Sequence, residues 1–238
     1  HIPEYSRGDY PTKTWWDWST AGNLDADGKP FVEKDDWGWE VYNSKKGDFR
    51  WQKNVVPDYV WFNGTVDYTL LGDKIDPTKI VAINSFRGSA EDSDARIWPV
   101  KVMRGKQPYD AGNMTLAIPH TVGKDGFWKT FEWGPALSKG MAAAGAPFSG
   151  DYGFVETSMM WPITHMVAPK EQALDCVSCH AKNGRLENVT GVYIPGRDSV
   201  SFLDIIGFSI LGLTLAGTLL HGVLRFFTRN KGQTDDRV

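Results

Sequence analysis

A Cys-Val-Ser-Cys-His run at 176–180, an uncharged apolar stretch from Ile205 to Leu224, and a long region rich in Trp, Gly and Pro but poor in helical periodicity together predict the fold class. It is mainly irregular, with short α-helices and small β-hairpins wrapped around c-type haem, plus one C-terminal transmembrane helix.

C-x-x-C-H is the covalent attachment signature of a c-type haem. The thiols of Cys176 and Cys179 bond the porphyrin vinyl groups, and the His180 imidazole becomes the proximal iron ligand. A zinc site needs two more soft ligands, and these are the only two cysteines among 238 residues. A CxxC redox pair and a disulfide remain the alternatives. Upstream, the run Pro169 to Asp175 opens with a proline that suits the first helical position and carries an acid in the first turn. A short helix there projects Cys176, Cys179 and His180 from one face, which can hold one porphyrin.

With 41% hydrophobic and 13% aromatic residues the chain can build a core. Its eleven tryptophans serve packing or line haem edges. A net charge of -3 argues against a nucleic-acid partner. Haem attachment to CxxCH takes place outside the cytoplasm in bacteria, so the motif itself places the compartment.

The twenty residues from Ile205 to Leu224 contain no formal charge and one histidine, a length that spans a hydrocarbon core. Arg225, Arg229 and Lys231 follow, whereas Asp198 and Asp204 flank the other end beside Arg197. By the positive-inside rule the tail is cytoplasmic. Residues 1–200 then form a periplasmic haem-binding domain, 201–228 the single transmembrane helix of an inner-membrane protein, and 229–238 a cytoplasmic tail. A buried core helix is the competing reading of the apolar stretch. The chain opens with His1 and shows no signal peptide, which implies a processed or partial sequence.

Residues 1–50 read as loops and short hairpins. Within them Asn23 to Gly28 matches the first half of a calcium loop, but Lys34 stands where a bidentate Glu is required, so a D-G turn is expected. Residues 39–71 alternate aromatic and polar positions around the turns KKGD and FNGT, as a small antiparallel unit does. From Asp73 to Lys129 recurrent Pro and Gly predict mostly irregular structure, and Pro135 to Ala144, ending at Gly145, predicts a short helix.

A low-spin c-type haem takes a second axial ligand from His or Met. Among five histidines, His120 and His165 are the candidates, with Met160 and Met166 behind them; each is otherwise an ordinary core or surface residue. His221 lies inside the apolar span, where ionisable groups are commonly functional. With Gly217 and Gly222 beside it, the span admits a haem b or a quinone near His221, or close packing of a second helix.

The runs PTKTWWDWSTAG at 11–22, RGKQPYD at 104–110, DYGFVET at 151–157, WPITHMVAPKEQALDCVSCH at 161–180 and GVYIPGRD at 191–198 resemble the C-terminal half of the octahaem tetrathionate reductase family. The resemblance spans nearly the whole chain, and the apolar helix is similar to the anchor some members carry. It implies that His1-Ile2-Pro3 ends a further CxxCH, making His1 a proximal ligand of a haem whose cysteines lie outside this sequence. It also implies neighbouring haems c held with the remainder of a multihaem cytochrome. The lysine-ligated catalytic haem would belong to the other half, so no catalytic residue is assigned here.

The expected function is a membrane-anchored periplasmic oxidoreductase of the tetrathionate, nitrite or hydroxylamine reductase type. It would move electrons between the quinone pool and a sulfur or nitrogen oxyanion, with a quinol-reactive cytochrome b subunit as membrane partner. The alternatives are a non-catalytic electron conduit from a membrane cytochrome b to a soluble or extracellular acceptor, and a structural anchor whose haem supports folding.

Overall fold

The computed structural model describes residues 4–6, 10–164 and 168–229. Trp, Tyr, Val and Thr recurring between turn-forming Asn, Asp and Gly make the first half strand-forming. The strands there are β1 (Thr12–Asp17), β2 (Val32–Lys34), β3 (Glu40–Asn43), β4 (Gly47–Gln52), β5 (Asp58–Phe62), β6 (Val66–Tyr68), β7 (Val81–Ala82), β8 (Asn84–Phe86) and β9 (Arg96–Asp110). The remainder comprises β10 (Thr115–Leu116), α1 (Phe127–Thr130), α2 (Trp133–Ala143), β11 (Tyr152–Pro162), α3 (Cys176–Cys179) and α4 (Ser201–Arg229).

The expectation of a mainly irregular chain is corrected by a nine-stranded mixed sheet, ordered β2-β3-β4-β1-β9-β11-β7 with β5 and β10 also on β9; β6 and β8 pair separately. The 15-residue β9 lies within the region expected to be irregular, and Pro99, Gly105 and Pro108 hid it. β11 pairs antiparallel along one edge of β9 from Val100 to Asp110. Along the other edge β5, β1 and β10 follow one another. Each proline turns its missing N–H toward a neighbour that has just ended. The Pro99 carbonyl accepts from Ile163 N, one residue past β11, and the Pro108 carbonyl from Ala117 N, one residue past β10. Neither proline therefore removes a ladder bond. At Gly105 a Cβ would lie 2.3 Å from the Trp16 carbonyl, so glycine is what lets β1 run beside β9.

The β3–β4 hairpin turns at Gly47, whose φ is +86°, as the KKGD signal implies. The FNGT turn instead separates β5 from β6, which pair with different partners. Asn23 to Gly28 is a turn: Asp25 Oδ1 accepts from Asp27 N and Lys29 N, and Gly28 takes φ +75°. Many of the tryptophans pack on other rings. Trp16 lies 4.8 Å from Trp18 and 5.6 Å from Phe49, and Trp133 lies 4.0 Å from Phe127. The Lys13 ammonium sits 3.6 Å above the Phe49 ring. Burial, then Lys46, pulls its pKa down to about 8.

The helix expected at 135–144 is α2, followed by Gly145 at φ +68°. It buries Ala136, Leu137, Gly140 and Met141. A Cβ at Gly140 would lie 2.0 Å from the Ile118 carbonyl, so the 118–120 segment rests directly on the helix backbone. Every described side chain of α4 is exposed, the most apolar 18-residue stretch within Ser201–Thr228 has a mean hydropathy of 1.9, and the helix is long and apolar enough to cross a membrane.

The fully buried Asp110 ties the end of β9 to the turn before β10 and to the approach to β11. Its carboxylate accepts from Gly112 N at 3.0 Å, Asn113 N at 3.0 Å, Asn113 Nδ2 at 2.7 Å, Ser149 N at 2.8 Å and Ser149 Oγ at 2.5 Å. Burial alone would raise its pKa, but the donors, led by Ser149, hold it at about 2 instead of 3.8. The charged form is thus favoured in the fold, and its stabilisation is complete above the ordinary value and lost as pH falls through the folded one. Asp110→Asn is expected to cost on the order of 2 kcal/mol near neutral pH. It should also flatten the loss of stability between about pH 4 and pH 2, measured as urea midpoints against pH.

Candidate functional site

Asp175 starts α3 by accepting from Ser178 N at 2.8 Å and Ser178 Oγ at 2.5 Å, an N-cap that closes the four-residue turn. The same donors lower the Asp175 pKa. On this turn Cys176 is exposed, Cys179 is half-buried, and both thiols are free. His180 is the C-cap, its N–H donating to the Cys176 carbonyl at 2.8 Å.

The His180 ring Nδ1 lies 3.0 Å from the Pro195 carbonyl. A carbonyl only accepts, so this bond requires Nδ1–H and leaves the lone pair on Nε2. Two free thiols three residues apart and an imidazole presenting Nε2 fit two thioether bonds and one axial iron ligand. Among the described residues no cluster of three or more His, Cys, Asp or Glu side chains could hold a metal, so no tetrahedral zinc set assembles from them.

The turn that carries Pro195 is built around Arg197. Its guanidinium donates to the carbonyls of Leu186 at 2.7 Å, Val192 at 3.0 Å, Glu187 at 3.4 Å, and Val189. It also makes a two-pronged pair with Asp198 at 2.8 and 2.7 Å. Asp198 in turn accepts from Ile194 N at 2.7 Å. Gly196 has φ +86°, and a Cβ there would lie 2.1 Å from the His180 carbonyl, so only glycine lets the turn lie against His180. In the sequence these residues stood out as part of the 191–198 run, and Arg197 and Asp198 also as charges flanking the apolar stretch.

Beside the same segment lies a cleft of about 880 Å³. One wall is the sheet, with Val102 and Arg104 of β9 paired to Met160 and Ser158 of β11; the other includes Ser178, Gly184 and Arg185. Tyr59 and Asp58 enter from β5. Burial raises the pKa of both, opposed by Arg185 at Tyr59 and by Arg104 at Asp58. Met160 is held at its main chain by the buried Asn84, which accepts from Met160 N at 2.7 Å and donates to its carbonyl at 2.8 Å.

Of the residues singled out in the sequence, Cys176, Cys179 and His180 come together. His120 is placed separately, in the segment packed against α2, where its N–H donates to the Ala136 carbonyl at 2.8 Å. Its Nε2 lies 3.7 Å from Asp125 Oδ1, and Asp125 pairs with Lys139. His221 is exposed on α4. His1, His165 and Met166 lie outside the described residues.

A family model described as bacterial cytochrome c matches residues 13–183. Among solved structures the chain is similar to an octahaem cytochrome c from Shewanella oneidensis, with 40% identity and a TM-score of 0.72. The match covers 81% of this chain and 45% of that one, so the chain spans about half the length of its structural relative. Comparison with curated proteins gives no match.

Proposed function

The chain belongs to the bacterial cytochrome c family, and from that membership we propose a membrane-anchored, periplasmic part of a multihaem cytochrome that moves electrons between the quinone pool and a sulfur or nitrogen oxyanion. Family membership carries covalently bound haem c with it. The finer reading assigns one haem to the thiols of Cys176 and Cys179 with His180 Nε2 on its iron. The observation that carries it is the bond from His180 Nδ1–H to the Pro195 carbonyl at 3.0 Å, which leaves the lone pair of the other ring nitrogen free to ligate beside two free thiols.

A haem c bound there supplies one-electron transfer. The chain's own residues do the rest: Asp175 fixes the turn that spaces the thiols, and the 194–198 turn fixes the imidazole. His120, His165 and His1 belong to the same reading as haem ligands, with at least one of His120 and His165 on a haem other than the one at Cys176. For His120 this requires that Nε2 leave Asp125, a contact at 3.7 Å that Lys139 competes for.

The tetrathionate-type assignment rests on the sequence resemblance and on 40% identity to an octahaem protein. The non-catalytic conduit is the second reading, supported by the family match, which carries electron transfer and names no substrate. In both, α4 is the anchor and a quinol-reactive cytochrome b its membrane partner, with a haem b or a quinone near His221. Thr214 and Thr218 donate back to the carbonyls four residues earlier at 2.8 Å, so their hydroxyls are satisfied within the helix. His221 is then the ionisable group within Ile205–Leu224 that calls for an outside partner.

Two outcomes are expected. A protease digest of the purified protein should give the peptide containing Cys176 and Cys179 carrying the mass of one haem; the unmodified peptide as the sole form would defeat the assignment. Membranes containing the full chain should retain it after extraction at alkaline pH and release it only with detergent, whereas release by alkali alone would remove the anchor from the reading.

A further inference from the structure

We infer that Arg197, acting with Asp198 and Gly196, is a positioning residue that sets the donor strength of the His180 imidazole and thereby the reduction potential of the iron it ligates. This rests on the proposed ligation by His180.

The 181–198 segment contains no helix or long strand, yet its turn must aim one carbonyl at one ring nitrogen. Its own backbone bonds are local, with Arg197 N and Asp198 N donating to the Ile194 carbonyl at 3.1 and 2.9 Å, so side chains must tie this turn to the rest of the segment. Here one guanidinium, 13% exposed at its side chain, collects the carbonyls of Leu186, Glu187, Val189 and Val192 and locks Asp198. Asp198 passes the constraint to Ile194 N, next to Pro195. From the other side, the Gly196 backbone lies against the His180 carbonyl, where any Cβ would come to 2.1 Å. The Pro195 oxygen is therefore fixed relative to both the ring and the backbone of His180. A planar fork with five donors suits this task, and an ammonium does not.

An N–H to carbonyl bond from the second ring nitrogen raises the basicity of a ligating histidine. A stronger donor favours the ferric iron and lowers the potential, so loosening the Pro195 carbonyl moves the potential up. Deleting a positive charge near a haem, by itself, moves it down. The two effects have opposite signs, so the direction of the shift identifies the cause.

The test uses the full, haem-loaded protein with Arg197→Gln, Gly196→Ala and the double variant, with Arg87→Gln as a control that breaks only the exposed pair with Asp67. Spectroelectrochemical titration should show one haem component shifted upward in Arg197→Gln and Gly196→Ala. The double variant should shift no further than the larger single change, because both act through one carbonyl. The control should not shift. In the fully reduced wild type, the His180 Nδ1–H should be an exchange-protected NMR signal, and Arg197→Gln should lose that protection.

A haem-loaded Arg197→Gln with an unchanged or lowered potential, or with protection retained, would overturn the inference. If the variants fail to retain haem, the wild-type signal decides: rapid exchange of Nδ1–H overturns it, and protection supports it. Absence of haem from the wild-type peptide at 176–179 would instead overturn the proposed ligation, and the digest separates that failure from this one.

Discussion

The pairing of β9 on both edges is the constraint on which the remainder of the fold depends. A 15-residue strand supplies backbone partners to β11 along one side and to β5, β1 and β10 in succession along the other. Segments that are individually too short to be stable thereby share one template. Each exception to regular strand chemistry on β9 sits where a neighbour demands it. Gly105 admits the Trp16 carbonyl, and each proline faces a residue just past the end of one neighbour, Ile163 after β11 and Ala117 after β10. At the C-terminal end the Asp110 carboxylate does for the loops what the ladder does for the strands: it gathers the N–H groups of Gly112, Asn113 and Ser149 at one buried acceptor.

The candidate site is built on a different principle. Cys176, Cys179 and His180 lie on a single helical turn and the connection that follows it, outside the sheet. Their order comes from two charged side chains, one adjacent in sequence and one remote. Asp175 closes the turn before the thiols, and Arg197 closes the connection after the histidine. A site on a loop is normally less exact than one on a strand. Here the loss is offset by concentrating hydrogen bonds on one guanidinium, and by a glycine that lets two backbone segments touch.

These features were unequally legible in the sequence. The CxxCH run, the helix at α2, the turn at Asn23 to Gly28 and the apolar α4 could be read because each is local: spacing, a capping glycine or a run of apolar residues is enough. The sheet could not be read, because its central strand interrupts its own pattern with Pro99, Gly105 and Pro108, and those interruptions make sense only once the neighbours are placed. The same is true of the brace. Nothing in the spacing of Pro195, Gly196, Arg197 and Asp198 says that one carbonyl faces His180, fifteen residues earlier. The resemblance marked that run as characteristic of a family without giving its reason.

The position of the brace also bears on how the two ends of the chain work together. Asp198 is the last braced residue, and α4 begins at Ser201, so only Ser199 and Val200 separate the clamp from the long helix. The first helical hydrogen bonds already reach back into this link, with Asp204 N donating to the Val200 carbonyl at 3.0 Å. On the reading that α4 spans a membrane, tilting or sliding of the helix pulls on residues 199–200 before it reaches anything else. Arg197 resists that pull through carbonyls spread over Leu186 to Val192, whereas the Pro195 contact alone is a single hydrogen bond. A ligand whose donor strength depends on one carbonyl is exposed to motion in its flank, and the load is carried by the stronger set of bonds. On the same reading, the braced turn that touches His180 through the Pro195 carbonyl ends two residues before the helix entry, so the imidazole and the helix share one anchored segment.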